Sequence, residues 1–185
     1  MIEDNGQEHE CSGGQRREYS RVEAYMPFEY RVVTPEEKDH IHAEIPGNIA
    51  AVELRSIPDM AEYDHILGEW LMILNSKLDT IIRLMTLQNE GFFGLPYKAI
   101  NISGGGMSFT LQQALAIGET VEIKTMLTSH QAIALRIYGE VVKSEAQDQG
   151  YLIAVRYIHM DDSIRDEIIH FVFEREREII RERKR

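Results

Sequence analysis

The sequence predicts a mainly β protein, a small antiparallel barrel or sandwich closed by a C-terminal helix and carrying one long coiled-coil-like helix. Three observations predict it. Short alternating stretches separated by turn residues fill residues 97–158. A heptad row of leucines precedes them, and an amphipathic stretch rich in Ile and Phe follows.

The first strand is read over Val22–Val33, where Tyr25, Phe28, Tyr30, Val32 and Val33 alternate imperfectly. Pro27 interrupts it and favours an edge or a bulge, because proline cannot donate to a ladder. Thr34-Pro35 then breaks the strand. Residues 36–58 give little beyond turn signals at Pro46-Gly47 and Ser56-Ile57-Pro58, with a short apolar piece, Ile49–Leu54, between them.

A helix is expected from near Ser56, capped by Ser56 and Asp59, to about Asn89, where Gly91 can end it. Leu67, Leu71, Leu74, Leu78, Ile81 and Met85 recur at alternating spacings of four and three, a heptad seam. Ile66, Trp70, Ile73, Leu84 and Leu87 form a second row, interrupted by Lys77 and Thr80. A buried Leu or Ile contributes roughly 1.5–3 kcal/mol, so two exposed rows would be costly. A small domain offers one neighbour to such a helix, so the seam predicts self-association.

Five strands are expected next, over Tyr97–Ile102, Met107–Leu111, Thr120–Leu127, Ala132–Lys143 and Tyr151–Ile158. Gly118-Glu119 and Asp148-Gln149-Gly150 supply turns. Ser163 with Asp166 is expected to cap the last helix, whose buried stripe is Ile164, Ile168, Phe171, Val172 and Ile179. Residues 175–185 are charged on every side and are expected to fray.

Composition narrows the function. Hydrophobic residues make up 43% and charged residues 28%, as in a soluble globular protein. No apolar run approaches the ~20 residues of a membrane helix. The polar residues 1–15 read as a flexible tail without a secretory signal, and the single Cys11 allows no internal disulfide, which favours the cytoplasm. A formal net charge of -11 argues against nucleic-acid binding, single-stranded included, because phosphate-rich chains need a basic surface. His40 and His42 lack a third ligand at convincing spacing, so no metal is expected. No phosphate loop, GxSxG or paired CxxC is present, and Cys11 has no partner base, so no bond-making chemistry and no cofactor are expected.

Two stretches stand out. Arg16, Arg17 and Arg21 cluster just ahead of the first strand in an otherwise acidic chain. Asn101-Ile102-Ser103-Gly104-Gly105-Gly106 reads as strand, tight turn, strand. Asn101 and Ser103 alternate with Ile100 and Ile102, so they belong to the opposite face of the strand. Three glycines permit a left-handed turn or close approach of a ligand to the backbone. An amide and a hydroxyl beside such a turn suit a base edge or a phosphate oxygen.

The pair, Arg17-x-x-x-Arg21 followed by Asn101-x-Ser103-x-x-Gly106, resembles the PilZ domain, a family that binds the bacterial second messenger cyclic di-GMP on a six-stranded antiparallel barrel. Gly139-Glu140-Val141-Val142, and the run from Tyr151 through Tyr157 into the last helix, are similar to the family's later strands and closing helix. The resemblance covers residues 16–34 and 96–183, and Ala154 stands where the family commonly has glycine. It implies a tail over 1–15, a barrel domain over 16–34 and 96–185, and a helical insertion over 35–95 that mediates oligomerisation.

The resemblance implies a non-enzymatic cytoplasmic receptor. Arg17 and Arg21 would contact guanine and phosphate, with Arg16 as a third cation that favours two intercalated ligand molecules. Asn101 and Ser103 would contact the ligand from the barrel, and Gly106 would permit the turn. Arginine suits this ligand because its planar fork both stacks on a base and bonds phosphate or the guanine edge. The expected partners are cyclic di-GMP, further copies of the chain and an unidentified downstream protein, with motility, adhesion or exopolysaccharide as outputs. The alternative is a nucleotide-blind structural adaptor acting through the coiled coil.

Overall fold

The computed structural model describes residues 19–47, 65–128 and 132–183. The expected tail, Arg16 and Arg17, the apolar piece at 49–54 and the Ser56–Asp59 cap lie outside the described residues.

Six strands build a closed antiparallel barrel: β1 (Arg21–Val32), β2 (Tyr97–Ser103), β3 (Gly106–Leu111), β4 (Thr120–Thr128), β5 (Ala132–Gln147) and β6 (Gly150–Ile158), in the order β1-β2-β3-β6-β5-β4. Closure depends on β1. Its first half, Arg21–Pro27, pairs with β2, and its second half, Phe28–Val32, pairs with β4. Pro27 therefore marks a change of partner rather than the expected edge, since a closed barrel has none. The missing proline N–H falls where the ladder hands over. Phe28 N donates to Pro96 O at 2.8 Å, and Thr125 Oγ1 donates to Pro27 O at 2.7 Å. A bulge between Val141 and Lys143 bends β5, which runs four residues beyond its expected end.

Alternation fills the interior. Val22, Ala24, Met26 and Phe28 of β1 meet Ile100 and Ile102 of β2 and Met107, Phe109 and Leu111 of β3. Ile123, Ile137, Ile153 and Val155 complete the other wall. The second helix, α2 (Asp162–Glu182), plugs one end with Ile164, Ile168, Phe171 and Val172, while Ile179 is only partly buried. Two expectations fail here. The cap position is Asp161, not Ser163, and its side chain makes no capping bond. The helix also continues to Glu182 instead of fraying from Arg175, because Ile179 still packs on the core and Arg175 pairs with Glu178 at 2.6 Å.

The first helix, α1 (His65–Asn89), ends where expected, at Gly91 with φ +81°. Its last two turns are fastened to the barrel, and Arg83 Nη2 donates to Ala132 O of β5 at 3.1 Å. Leu87 joins Phe92, Leu95 and Ala134 in a small second core. Arg136 of β5 pairs with Glu90 at 2.6 Å and also with Glu44, whose backbone bridges β5. Upstream of Leu87 the apolar rows face solvent within one chain. Leu67, Leu71, Leu74, Leu78, Ile81 and Met85 are all exposed, as are Ile66, Trp70, Ile73 and Leu84.

A second polar cluster braces the outer wall. The Glu122 carboxylate is buried and receives Arg31 Nη2 at 2.6 Å and Tyr138 Oη at 3.3 Å. Arg31 also holds Glu37 at 2.9 Å, which lowers the Glu37 pKa to about 2, helped by the Thr34 N–H and hydroxyl.

Candidate functional site

The β2–β3 hairpin forms the lip of the site. Ser103 pairs with Gly106, leaving Gly104-Gly105 as the turn. The turn does not use the expected left-handed backbone, since none of the three glycines has φ in that region. Glycine supplies space instead. A Cβ on Gly106, the first residue of β3, would lie 2.2 Å from Val155 O, so β6 passes closer than any side chain permits. A Cβ on Gly104 would meet Ile169 and Tyr19 at 2.8 Å.

The turn is pinned from three sides. Ser103 Oγ donates to Gly106 O at 2.9 Å, Tyr157 N donates to Gly105 O at 3.2 Å, and Arg165 Nη1 of α2 donates to Gly104 O at 2.8 Å. Burial pushes the Tyr157 phenol's pKa up, and the nearby Arg165 charge only partly opposes it, so this buried hydroxyl stays protonated.

The expected residues converge. Arg21 stands opposite Ser103 in the β1–β2 register, and Glu23 stands opposite Asn101. Arg21, Asn101, Ser103 and Gly106 line one cleft of about 390 Å³ on the outside of the barrel. Ile100 and Ile102 point into the core, so the alternation read from sequence holds. Ser103 departs from expectation in one respect. It is buried, its hydroxyl proton is committed to Gly106 O, and so it offers the cleft acceptor lone pairs rather than a free donor. Arg16 and Arg17 lie outside the described residues. The described chain begins at Tyr19, whose ring lies over the glycine turn at the cleft mouth.

The cleft holds residues that the sequence did not single out. Lys143 of β5 and Arg156 of β6 line the side away from Arg21. Lys143 pairs with Glu145 at 2.8 Å, and Arg156 pairs with Glu140 at 2.7 Å. Strand alternation put Arg156 on the outer face, but only the tertiary register puts it opposite Gly106.

The closed barrel thus carries on its outer wall one cleft flanked by Arg21, Lys143 and Arg156. A family model described as PilZ domain matches residues 79–174, more than half of the chain, and the chain belongs to that family. The matched stretch contains Asn101, Ser103 and Gly106 and begins after β1 and the arginine segment. One solved structure, a pathogenic protein from Xanthomonas campestris described as a new tetrameric PilZ domain self-assembled via an unusual helical bundle, matches with a TM-score of 0.56. It is 18% identical, and the match covers 88% of this chain and 91% of that one. No curated protein matches the chain. No helix among the described residues is long and apolar enough to cross a membrane.

Proposed function

We propose that this chain is a non-enzymatic cytoplasmic receptor for cyclic di-GMP. The observation that carries the reading is the convergence of Arg21, Asn101, Ser103 and Gly106 on one cleft, at the point where the chain arrives from Arg16 and Arg17. Family membership supports the ligand class. Arg21 takes a phosphate or a guanine edge, the Asn101 amide takes a base edge, and the lone pairs of Ser103 accept from the ligand. Arg16 and Arg17 add ligand contacts by the family pattern, and ligand occupancy changes a surface that a downstream protein reads. Motility, adhesion or exopolysaccharide control is the output proposed for it. Calorimetric titration with cyclic di-GMP, cyclic di-AMP and GTP tests the reading. Saturable binding of cyclic di-GMP alone supports it, and no binding of cyclic di-GMP rejects it in favour of the nucleotide-blind adaptor.

The same chain assembles through α1. Trp70 at 60% and Leu71 at 49% exposure stand on two different rows, and both rows need cover. One partner helix covers one seam, so two rows per helix favour more than a dimer. The helical bundle of the tetrameric Xanthomonas campestris protein supports this arrangement.

A further inference from the structure

Two cross-strand rows run side by side over the cleft. In the first, Arg21, Ser103, Gly106, Arg156 and Glu140 are successive partners from β1 through β2, β3 and β6 to β5. In the second, Glu23, Asn101, Ser108, Ala154 and Lys143 are successive partners across the same strands. Between the flanking charges, Ser103, Gly106, Ser108 and Ala154 keep the floor low, and Asn101 is the largest side chain on it. Cations stand at the sides: Arg21 on β1, Arg156 on β6 and Lys143 on β5. Three strand spacings separate Arg21 from Arg156, about 14 Å between backbones. Two arginine side chains reaching inward from those positions can grip one flat anionic ligand from both edges.

From this trough we infer that Arg156 is a second ligand-binding cation of the site, gripping the phosphate or guanine edge that Arg21 does not reach. The inference rests on the cyclic di-GMP reading above. Its physical basis is the state of Arg156 in the free protein. The Arg156 side chain is 64% exposed and pairs with the half-exposed Glu140 carboxylate at 2.7 Å. Exposed pairs of this kind hold weakly, so an incoming phosphate can take the arginine from Glu140. Glu140 stands on β5, on the far side of Arg156 from Gly106, so the ligand draws the guanidinium out of this pair and inward over the row. Arg156 does not support the barrel. Its backbone stays in the β6 ladder whatever its side chain does.

Titration of the full chain with cyclic di-GMP tests this, comparing wild type with Arg156→Ala, Arg156→Gln and Arg21→Ala, each also at raised salt. The expected result is ~10-fold weaker binding for Arg156→Ala and for Arg156→Gln, with a shallower salt dependence than wild type and an unchanged melting temperature. Binding by both Arg156 variants at wild-type affinity, with Arg21→Ala impaired, overturns the inference and leaves the receptor reading standing. No binding by the wild type overturns both.

Discussion

Arg21 and Ser103 stand directly opposite each other across the β1–β2 ladder, so the last residue of the arginine segment and the buried serine of the hairpin share one register position. They lie far apart in sequence, yet β-pairing makes them neighbours at the mouth of one cleft. Arg21→Ala removes the cation at that position and touches no core residue, because Arg21 is exposed. Charge-assisted bonds contribute about 1.5–3 kcal/mol each, so the expected loss of cyclic di-GMP affinity is ~10- to 100-fold. Calorimetry measures the affinity, and an unchanged melting curve shows that the barrel is intact.

Gly106→Ala acts on the fold rather than on charge. The added Cβ collides with Val155 O on the neighbouring strand, and neither backbone can yield without breaking ladder bonds. The expected cost is about 1–3 kcal/mol, as for other overpacked sites. Urea denaturation reads this as a lower midpoint at unchanged slope.

Leu71→Asp/Leu78→Asp places two carboxylates in the seam of α1. Light scattering is expected to show the wild type as an oligomer and the double variant at a lower mass. The barrel's circular dichroism should not change, because Arg83, Leu87 and the turn after the helix, not the two substituted leucines, fasten α1 to the strands. A monomeric mass for both proteins removes the assembly.

Glu37 ties stability to pH in a stated direction. The hydrogen bonds from Arg31, then those from Thr34, hold its folded pKa at about 2, below the ordinary glutamate value of 4.5. A depressed carboxylate contributes stability above its unfolded pKa and loses it as pH falls through the folded value. The contribution is therefore complete above about pH 4.5 and disappears between there and about pH 2. Melting curves of Glu37→Gln should show a weaker pH dependence than wild type across that window and the same dependence at neutral pH.

Much of this was legible in the sequence, and the residues show why. Ile100 and Ile102 alternate with Asn101 and Ser103, and strand periodicity alone fixes which pair faces the core. The leucine spacing of α1 needed only helical periodicity, and Gly91 marked its end. What sequence could not show depends on register or on close approach. Pro27 looked like an edge signal because the split of β1 between two partner strands is a property of barrel closure. Gly106 looked like a turn residue because the carbonyl of Val155 that excludes a side chain there lies on a distant strand. Arg156 drew no notice because nothing local sets it opposite Gly106. At the start of α2, Ser163 and Asp166 match a capping pattern, but Asp161 takes the cap position after the His159 backbone turns at φ 49°.

In the proposed receptor the arginine segment and the hairpin hold cyclic di-GMP between them. Amide hydrogen exchange of the full chain with and without saturating cyclic di-GMP tests it most directly. Ligand is expected to slow exchange together in residues 16–21 and 101–106, and Arg21→Ala to abolish both effects. Slowed exchange at the hairpin alone, or at neither segment while ligand is bound, would contradict it.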